Sequence, residues 1–529
     1  MSIAFWFDQP RNLLVYDSPT PDKLVQAVPG AVRMHNGYVA VPKTLYAMQL
    51  LRYFSHPVTE PMVDYDWPGR FKPFEAQRVT ANFLALNPRS FVLSDMGTGK
   101  TLAALWAADF IMSQYPRGSC RALIVAPLST LQRVWADAIF QSLLGRRTFA
   151  ILHGDAAQRE RLLSEPHDFY IINFDGLGVG FPSSHKVEPR GFALRLIERS
   201  DIRLAIVDEA SAYRDGTTKR HRVARRILAP RDYLWLMTGT PTPNGPLDAH
   251  GMAKLVNNAY GESLTSYKNR IMYKVAMWKW LPRAGAQAEA RRLLQPAVRF
   301  SIDDCVDLPP CTTQMRDVEL SHDQKKAYDT LKRELTIAVK DGQIITAANE
   351  AVLRLKLIQI SCGAIYGENH EVHHIDAAPR LAALHEVLEQ TSEKVIIFAP
   401  LTSVLNMLNR ELKNYTREII NGSVNMGLRN KIFSEFQETD NPRLLIADPA
   451  TMSHGLTLVR AATIVWYGPT DRTELYLQAN ARINRPGQVN KTTIVQLAAT
   501  PVEREIFHRL ENNESMQGAL LRMVKDGDK

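Results

Sequence analysis

The chain is 529 residues long, 45% hydrophobic and 22% charged, which allows three or four ordinary globular domains. Lys and Arg total 64 against 55 Asp and Glu, a formal charge of +9 that suits a polyanionic partner but is too modest over this length to identify one. Cys120, Cys305, Cys311 and Cys362 form no C-x2-C pair, which argues against a zinc site and a disulfide scaffold and for a reducing compartment; no run of 18 apolar residues and no secretory leader is read.

Residues 1–65 read as a small α+β accessory domain. IAFWF, NLLVYD and GYVAVP are strand candidates with turn residues between them, and PKTLYAMQLLRYF is helical. From Phe71 the pattern changes. FKPFEAQRVTANFLAL predicts a helix, and FVLS, RALIVAP, FYIINF, IRLAIVDE and YLWLMTG are short apolar runs with helical stretches between them. Runs that are apolar throughout predict a parallel α/β sheet covered on both faces across residues 66–245. Residues 246–378 read as a helical insertion region: MAKLVNNAYG, YKNRIMYKVAMWKWL, AQAEARRLLQPAV, a helix opened by Ser321, and AANEAVLRLKLIQIS, interrupted by a loop at Leu308-Pro309-Pro310. A second α/β block spans 379–500, with KVIIFAP, REII, RLLIAD, ATIVWY and TTIVQLA as strands. Residues 501–529 read as a C-terminal helix and polar tail.

Three elements carry chemistry. FVLSDMGTGKT is a strand, a glycine loop and a helix start. Met96, Gly97, Thr98 and Gly99 would present backbone N–H groups to phosphates, Lys100 would reach the β and γ phosphates, and the Thr101 hydroxyl would ligate Mg2+. Ser94 stands where the full pattern has its leading glycine. In IRLAIVDEAS, Asp208 and Glu209 end an apolar run. There a carboxylate could hold Mg2+ (Asp208) and another could polarise an attacking water (Glu209). Thr238, Gly239, Thr240 and Pro241 follow a further strand and could sense the acidic pair. In TELYLQANARINRPGQ, Gln478, Arg482 and Arg485 at i, i+4 and i+7 predict one helical face, from which arginines could contact a γ phosphate.

Assembled in this order, residues 71–510 resemble superfamily 2 helicases, and within them the SNF2-type branch of DNA translocases. Gln77 in FEAQ matches the glutamine that reads adenine in that family. SDMGTGKT, APLSTLQRVWADAI, FYIINFDGL, DEAS and TGTPTPN match motifs I, Ia, Ib, II and III, with Ser211 where DEAH proteins have histidine. LPPCTTQMRDVELSHDQKKAYDTL matches the branch's LP element, strand and Q…Y helix. KVIIFAPLTSVLNML corresponds to motif IV, and NGSVNMGLRNKIFSEFQ follows it with Gly422, Arg429 and Phe436 in place. RLLIADPATMSHGLTLVRA matches motif V with Gly455 and Leu458 kept and His454 and Thr457 departing from the usual glycine and asparagine. QANARINRPGQ matches motif VI through Arg482 and Arg485.

The resemblance implies two RecA-like parallel-sheet lobes with helical insertions and a small N-terminal domain. It also implies ATP and Mg2+ as cofactors, ATP hydrolysis between the lobes, and movement along double-stranded or branched DNA. The expected setting is the cytoplasm of a bacterial cell or phage-infected host. Two other readings stand beside it: a strand-separating DNA or RNA helicase, and an ATP-switched scaffold docking a polymerase-type protein through residues 1–65. Lys274, Lys279 and Arg283, in IMYKVAMWKWLPR, could touch nucleic acid, although the favoured reading is that the tryptophans there pack the helical insertion.

Overall fold

A computed structural model describes residues 4–143, 145–182, 188–276, 279–305, 309–340, 347–366, 371–452 and 457–512, with 276, 279, 334–340 and 347–349 described by backbone alone. The chain forms two compact units, Met1–Cys305 and Val306–Lys529. Their boundary falls inside 246–378, so that stretch contributes to both.

The first unit begins with an antiparallel sheet in the order Ala4–Asp8, Leu13–Asp17, Val39–Pro42, Val32–Arg33. Leu14, Tyr16, Val39 and Val41 alternate onto one face and pack on Met48 and Leu51 of the helix Leu45–Tyr53. Gln49 of that helix donates to the Ala85 carbonyl (2.7 Å) and to the Tyr233 hydroxyl (3.3 Å), which ties this small domain to the larger sheet beside it.

That larger sheet has seven parallel strands in the order Ala297–Val298, Arg89–Val92, Tyr233–Met237, Ile202–Val207, Arg121–Ala126, Phe169–Asn173, Phe149–Ile151. Successive side chains feed opposite cores. Phe91, Leu123, Val125, Ala205, Val207 and Leu234 face one, while Val92, Ile124, Leu204, Ile206 and Trp235 face the other. This two-sided burial is why the runs are apolar without alternation. The order also inserts two late strands, Tyr233–Met237 and Ile202–Val207, between the earlier Arg89–Val92 and Arg121–Ala126. The loops after these four strands therefore lie side by side at the carboxyl ends, where α/β sheets bind ligands.

The second unit carries six parallel strands in the order Cys311–Asp317, Thr492–Ala498, Ala461–Trp466, Lys394–Phe398, Leu444–Ala447, Arg417–Ile420. Ser321 opens the helix His322–Lys340 as expected: its hydroxyl accepts from the Gln324 N–H (3.2 Å), and the Gln324 side chain accepts from the Ser321 N–H (3.0 Å). Arg380 of the helix Ala378–Glu389 and Glu503 of the helix Pro501–Glu511 form a fully buried ion pair, in which the Arg380 Nη2 donates to both carboxylate oxygens at 2.7 and 2.8 Å. The two units are thus parallel α/β lobes with helical additions and a small N-terminal α+β domain.

Three local expectations are corrected. Of the segment YKNRIMYKVAMWKWL only the start is helical, as the end of the helix Leu264–Ile271; Met272–Ala276 and Lys279–Pro282 then form an antiparallel hairpin. In AQAEARRLLQPAV the helix stops at Leu293, because Pro296 has no N–H to continue it, and Ala297–Val298 joins the sheet edge. In TELYLQANARINRPGQ the helix spans only Thr473–Asn480.

Candidate active site

The phosphate loop leaves the strand Arg89–Val92 and enters the helix Lys100–Ser113. Gly97 and Gly99 adopt left-handed φ values of 85° and 76°, which side-chain-bearing residues rarely adopt. At Gly99 a Cβ would also displace the Gln77 amide that packs against the loop. Buried Gln77 accepts from the Phe74 N–H (2.9 Å) and donates to the Gly99 carbonyl (3.3 Å), which holds the helix Glu75–Leu86 against the loop. The Thr98 hydroxyl donates to the Asp95 carbonyl (2.9 Å) and braces the turn from inside. The Lys100 ammonium donates to the carbonyls of Ser94 (2.8 Å) and Asp95 (2.7 Å), so it lies folded back onto the loop that would cradle phosphate. Met96 and Thr101 are half-buried, the latter in the first helical turn.

Ser94 has a structural role that a glycine could not supply. Its hydroxyl accepts from the Phe300 N–H (3.0 Å), while Leu93 donates to Val298 (2.9 Å) and Asp95 to Phe300 (2.9 Å). The loop is thereby zipped to the segment that follows Ala297–Val298.

Asp208 and Glu209 follow the strand Ile202–Val207, and the Asp208 N–H still donates to the Val125 carbonyl of the neighbouring strand (2.9 Å). Glu209 then takes φ 49° and ψ 51°, which breaks the strand and opens the turn Ala210–Tyr213. Each Asp208 oxygen accepts one hydrogen bond: Oδ1 from the Glu209 N–H (3.0 Å) and Oδ2 from the Trp135 indole (3.1 Å). Desolvation pushes the Asp208 carboxyl above the ordinary carboxylate range, while the charge of Lys100 and the two hydrogen bonds act the other way. Because Arg89–Val92 and Ile202–Val207 both flank Tyr233–Met237 in the sheet, the phosphate loop and the acidic pair leave its carboxyl edge on either side of one strand. Between them run Thr238 to Thr240. The Thr238 N–H donates to the Val92 carbonyl (3.0 Å), the Thr238 hydroxyl accepts from the Thr240 N–H (3.1 Å), and a Cβ on Gly239 would come within 3.2 Å of Met96.

These residues fit a nucleotide and its metal. Left-handed glycines and a helix N-terminus suit phosphates, and the Asp208 carboxylate and the Thr101 hydroxyl are both oxygen donors of the kind Mg2+ takes. The Trp135 contact and the Ser94 zipper escaped the sequence. Trp135 stood in view within LQRVW, but no periodicity tells that an indole in a core points its N–H at a carboxylate 73 residues away.

Arg482 and Arg485 belong to the second unit. They lie in the turns after Asn480, not on a helical face with Gln478. The Arg482 N–H donates to the Ala479 carbonyl (3.2 Å), and the Leu458 N–H donates to the Arg482 carbonyl (3.0 Å), so the chain turns away from the helix axis. Arg482 is buried. Half-buried Arg485 donates to the carbonyl of Ala481 (2.8 Å) and to the Thr457 hydroxyl (3.3 Å). Thr457, one of the departures within motif V, thus meets a motif VI arginine; His454 and Gly455 lie outside the described residues, as does Leu308.

In the hairpin, Arg283 donates to the Met272 carbonyl (3.1 Å), and Lys268 sits 4.3 Å over the Trp280 ring, which packs on the first unit's core. Trp280 is therefore packing. Lys274 is exposed, and the side chain of Lys279 lies outside the described residues. No helix among the described residues is long and apolar enough to cross a membrane.

Comparison with known proteins adds the family. The SNF2-related domain matches residues 77–363, more than half of the chain, and the helicase conserved C-terminal domain matches residues 379–487. Putative protein p41 of Acyrthosiphon pisum secondary endosymbiont phage 1 is 26% identical over 479 residues, covering 86% of this chain and 99% of that protein. Protein CHROMATIN REMODELING 4 of Arabidopsis thaliana is 24% identical over 81% of this chain and 20% of its own length. The SWI/SNF-related matrix-associated actin-dependent regulator of chromatin subfamily A-like protein 1 of Xenopus laevis is 23% identical over 83% of this chain and 42% of its own. The chain thus spans nearly all of the phage relative but less than half of these two eukaryotic ones. Among solved structures, the Sulfolobus solfataricus SWI2/SNF2 ATPase core in complex with dsDNA aligns with 84% of this chain and 92% of its own at 18% identity, with a TM-score of 0.39. With both domains matched in order around a phosphate loop and an acidic pair, the chain belongs to the SNF2-related family of helicase-type, nucleic-acid-dependent ATPases.

Proposed function

We propose that this protein is an ATP-driven translocase on double-stranded DNA, hydrolysing ATP between its two lobes in the cytoplasm of a bacterial cell or phage-infected host. The observation that carries the reading is the grouping of Lys100, Asp208–Glu209 and the Thr238–Thr240 turn at the carboxyl ends of adjacent strands. In this reading the loop amides and Lys100 bind the phosphates, and Gln77 reads the adenine. Thr101 and Asp208 hold Mg2+, which neutralises charge on the phosphates, and Glu209 orients the attacking water. Arg482 and Arg485 stabilise charge developing on the γ phosphate. The net charge of +9 and the family membership support a DNA track. Contacts to backbone phosphates make the grip independent of sequence.

The test is ATPase measured with single-stranded DNA, duplex DNA, forks and RNA. Duplex DNA is expected to stimulate most, and K100A and D208N to lower turnover by roughly a hundredfold or more, the range seen when electrostatic catalytic groups are removed. Stimulation confined to single strands or forks, with fork unwinding and no triplex displacement, would select the strand-separating alternative. Wild-type turnover in K100A would sink the site assignment. R485A is expected to lower kcat more than nucleotide affinity; the opposite pattern would remove it from the γ-phosphate role.

A further inference from the structure

Trp135 is fully buried in the core of the first unit, yet its single polar atom points at the site: the indole Nε1–H donates to Asp208 Oδ2 at 3.1 Å. It gets there through an irregular segment. The loop Pro127–Thr130 leads into a π-helical turn, Leu131–Ala136, closed by the Asp137 N–H on the Gln132 carbonyl, before the α-helix Asp137–Leu143 begins. π-Turns concentrate at functional sites, and Trp135 sits inside this one, next to the start of the α-helix.

The chemistry of the donor matters. Asp208 Oδ1 is held by the neighbouring Glu209 N–H, which on its own leaves the carboxylate free to swing about its last torsion. A second donor on Oδ2 fixes the plane. Because the indole N–H is neutral, it orients the group without cancelling its charge, whereas a Lys or Arg there would compete with a cation. One lone pair on each oxygen stays available.

We propose that Trp135 is a positioning residue that holds the Asp208 carboxylate in the orientation that ligates Mg2+. This rests on the reading of Asp208 as a metal ligand. It also gives the Pro127–Leu143 segment, which carries the motif Ia match, a direct hydrogen bond to Asp208.

The test is affinity for a fluorescent ADP analogue, measured in Mg2+ and in EDTA for the full chain. Its readout is the gain in affinity that Mg2+ confers. W135F keeps an aromatic ring and removes the donor. The Mg2+ gain is expected to fall about tenfold, as for other groups that orient metal ligands, while the EDTA affinity stays within about twofold. Replacing Trp135 by benzothienylalanine, in which sulfur takes the place of the N–H at the same shape, is expected to give the same loss with an unchanged melting temperature; this variant decides the matter if W135F fails to fold. A wild-type Mg2+ gain in the folded analogue overturns the proposal. D208N, run in parallel, separates the two levels. If D208N loses the gain and the Trp135 variants keep it, only the positioning role falls. If D208N keeps it, the metal-ligand reading falls and the proposal with it.

Discussion

Glu209 and His221 show what single residues of the first unit give up for their positions. Glu209 holds a left-handed backbone that costs a non-glycine residue about 1–3 kcal/mol, and it does so directly after a strand, where it turns the chain out of the sheet at the site. His221 is buried in the helix Lys219–Ile227, with its Nε2 2.8 Å from the Gly251 carbonyl. Burial lowers its pKa below the ordinary value of about 6.5, with the carbonyl opposing the shift. Between the lowered folded pKa and about 6.5 the native chain binds fewer protons than the unfolded chain. This stabilising contribution is present above about pH 6.5 and is lost as the pH falls below it. Thermal melts at pH 7.5 and 5.5 should therefore show a smaller acid-induced drop for H221Q than for the wild type. Equal drops would remove His221 as a source of acid lability.

At the scale of elements, the second unit is fastened by Arg380 and Glu503. The guanidinium also reaches the carbonyls of Tyr467 and Leu497, and the Glu503 carboxylate accepts from the Ala499 and Thr500 N–H groups at the start of its own helix. Removing Arg380 leaves the Glu503 carboxylate and the Tyr467 and Leu497 carbonyls without this donor. R380M is expected to destabilise the unit by about 3–5 kcal/mol, the usual consequence of stranding a buried charge, measured by urea unfolding. A loss under about 1 kcal/mol would mean that water or neighbours take over the carboxylate. The arginine-bearing segment teaches a complementary lesson. Its i, i+4, i+7 spacing is a valid helical pattern, yet the helix ends at Asn480, with Ile483 buried as the chain turns and Gly487 at φ 98° beyond it. The hairpin at Met272–Pro282 deceived in the same way, since a short run rich in Lys, Trp, Tyr and Val fits either period.

For the whole molecule, charge is the property that a binding experiment reads. If phosphate contacts dominate, log affinity for duplex DNA falls with log salt by about 0.9 per phosphate neutralised, so several contacts mean at least a tenfold loss between about 50 and 200 mM salt. The same loss is expected on unrelated duplex sequences. A flat salt dependence would argue for recognition of a protein partner instead.

Much of this organisation was legible in the sequence. The five strand candidates of each α/β block overlap strands of its sheet, and most are apolar throughout because strands buried on both faces need apolar residues at every position; the edge strand Arg417–Ile420, half-buried, is the exception. The glycine loop and the acidic pair were legible because each is a local device, built from contiguous residues at one strand end. Other features were set by partners far along the chain. The edge strands Phe149–Ile151 and Ala297–Val298, three and two residues long, are strands only because a neighbour pairs with them. Ser94 looked like a defect until Phe300, 206 residues on, supplied its N–H. Trp135 looked like core until Asp208 accepted its indole. The sequence by itself determined which residues could do the chemistry and in what order they come. Only the tertiary structure decided how they are held, because those hydrogen bonds join segments that periodicity and local propensity treat as independent.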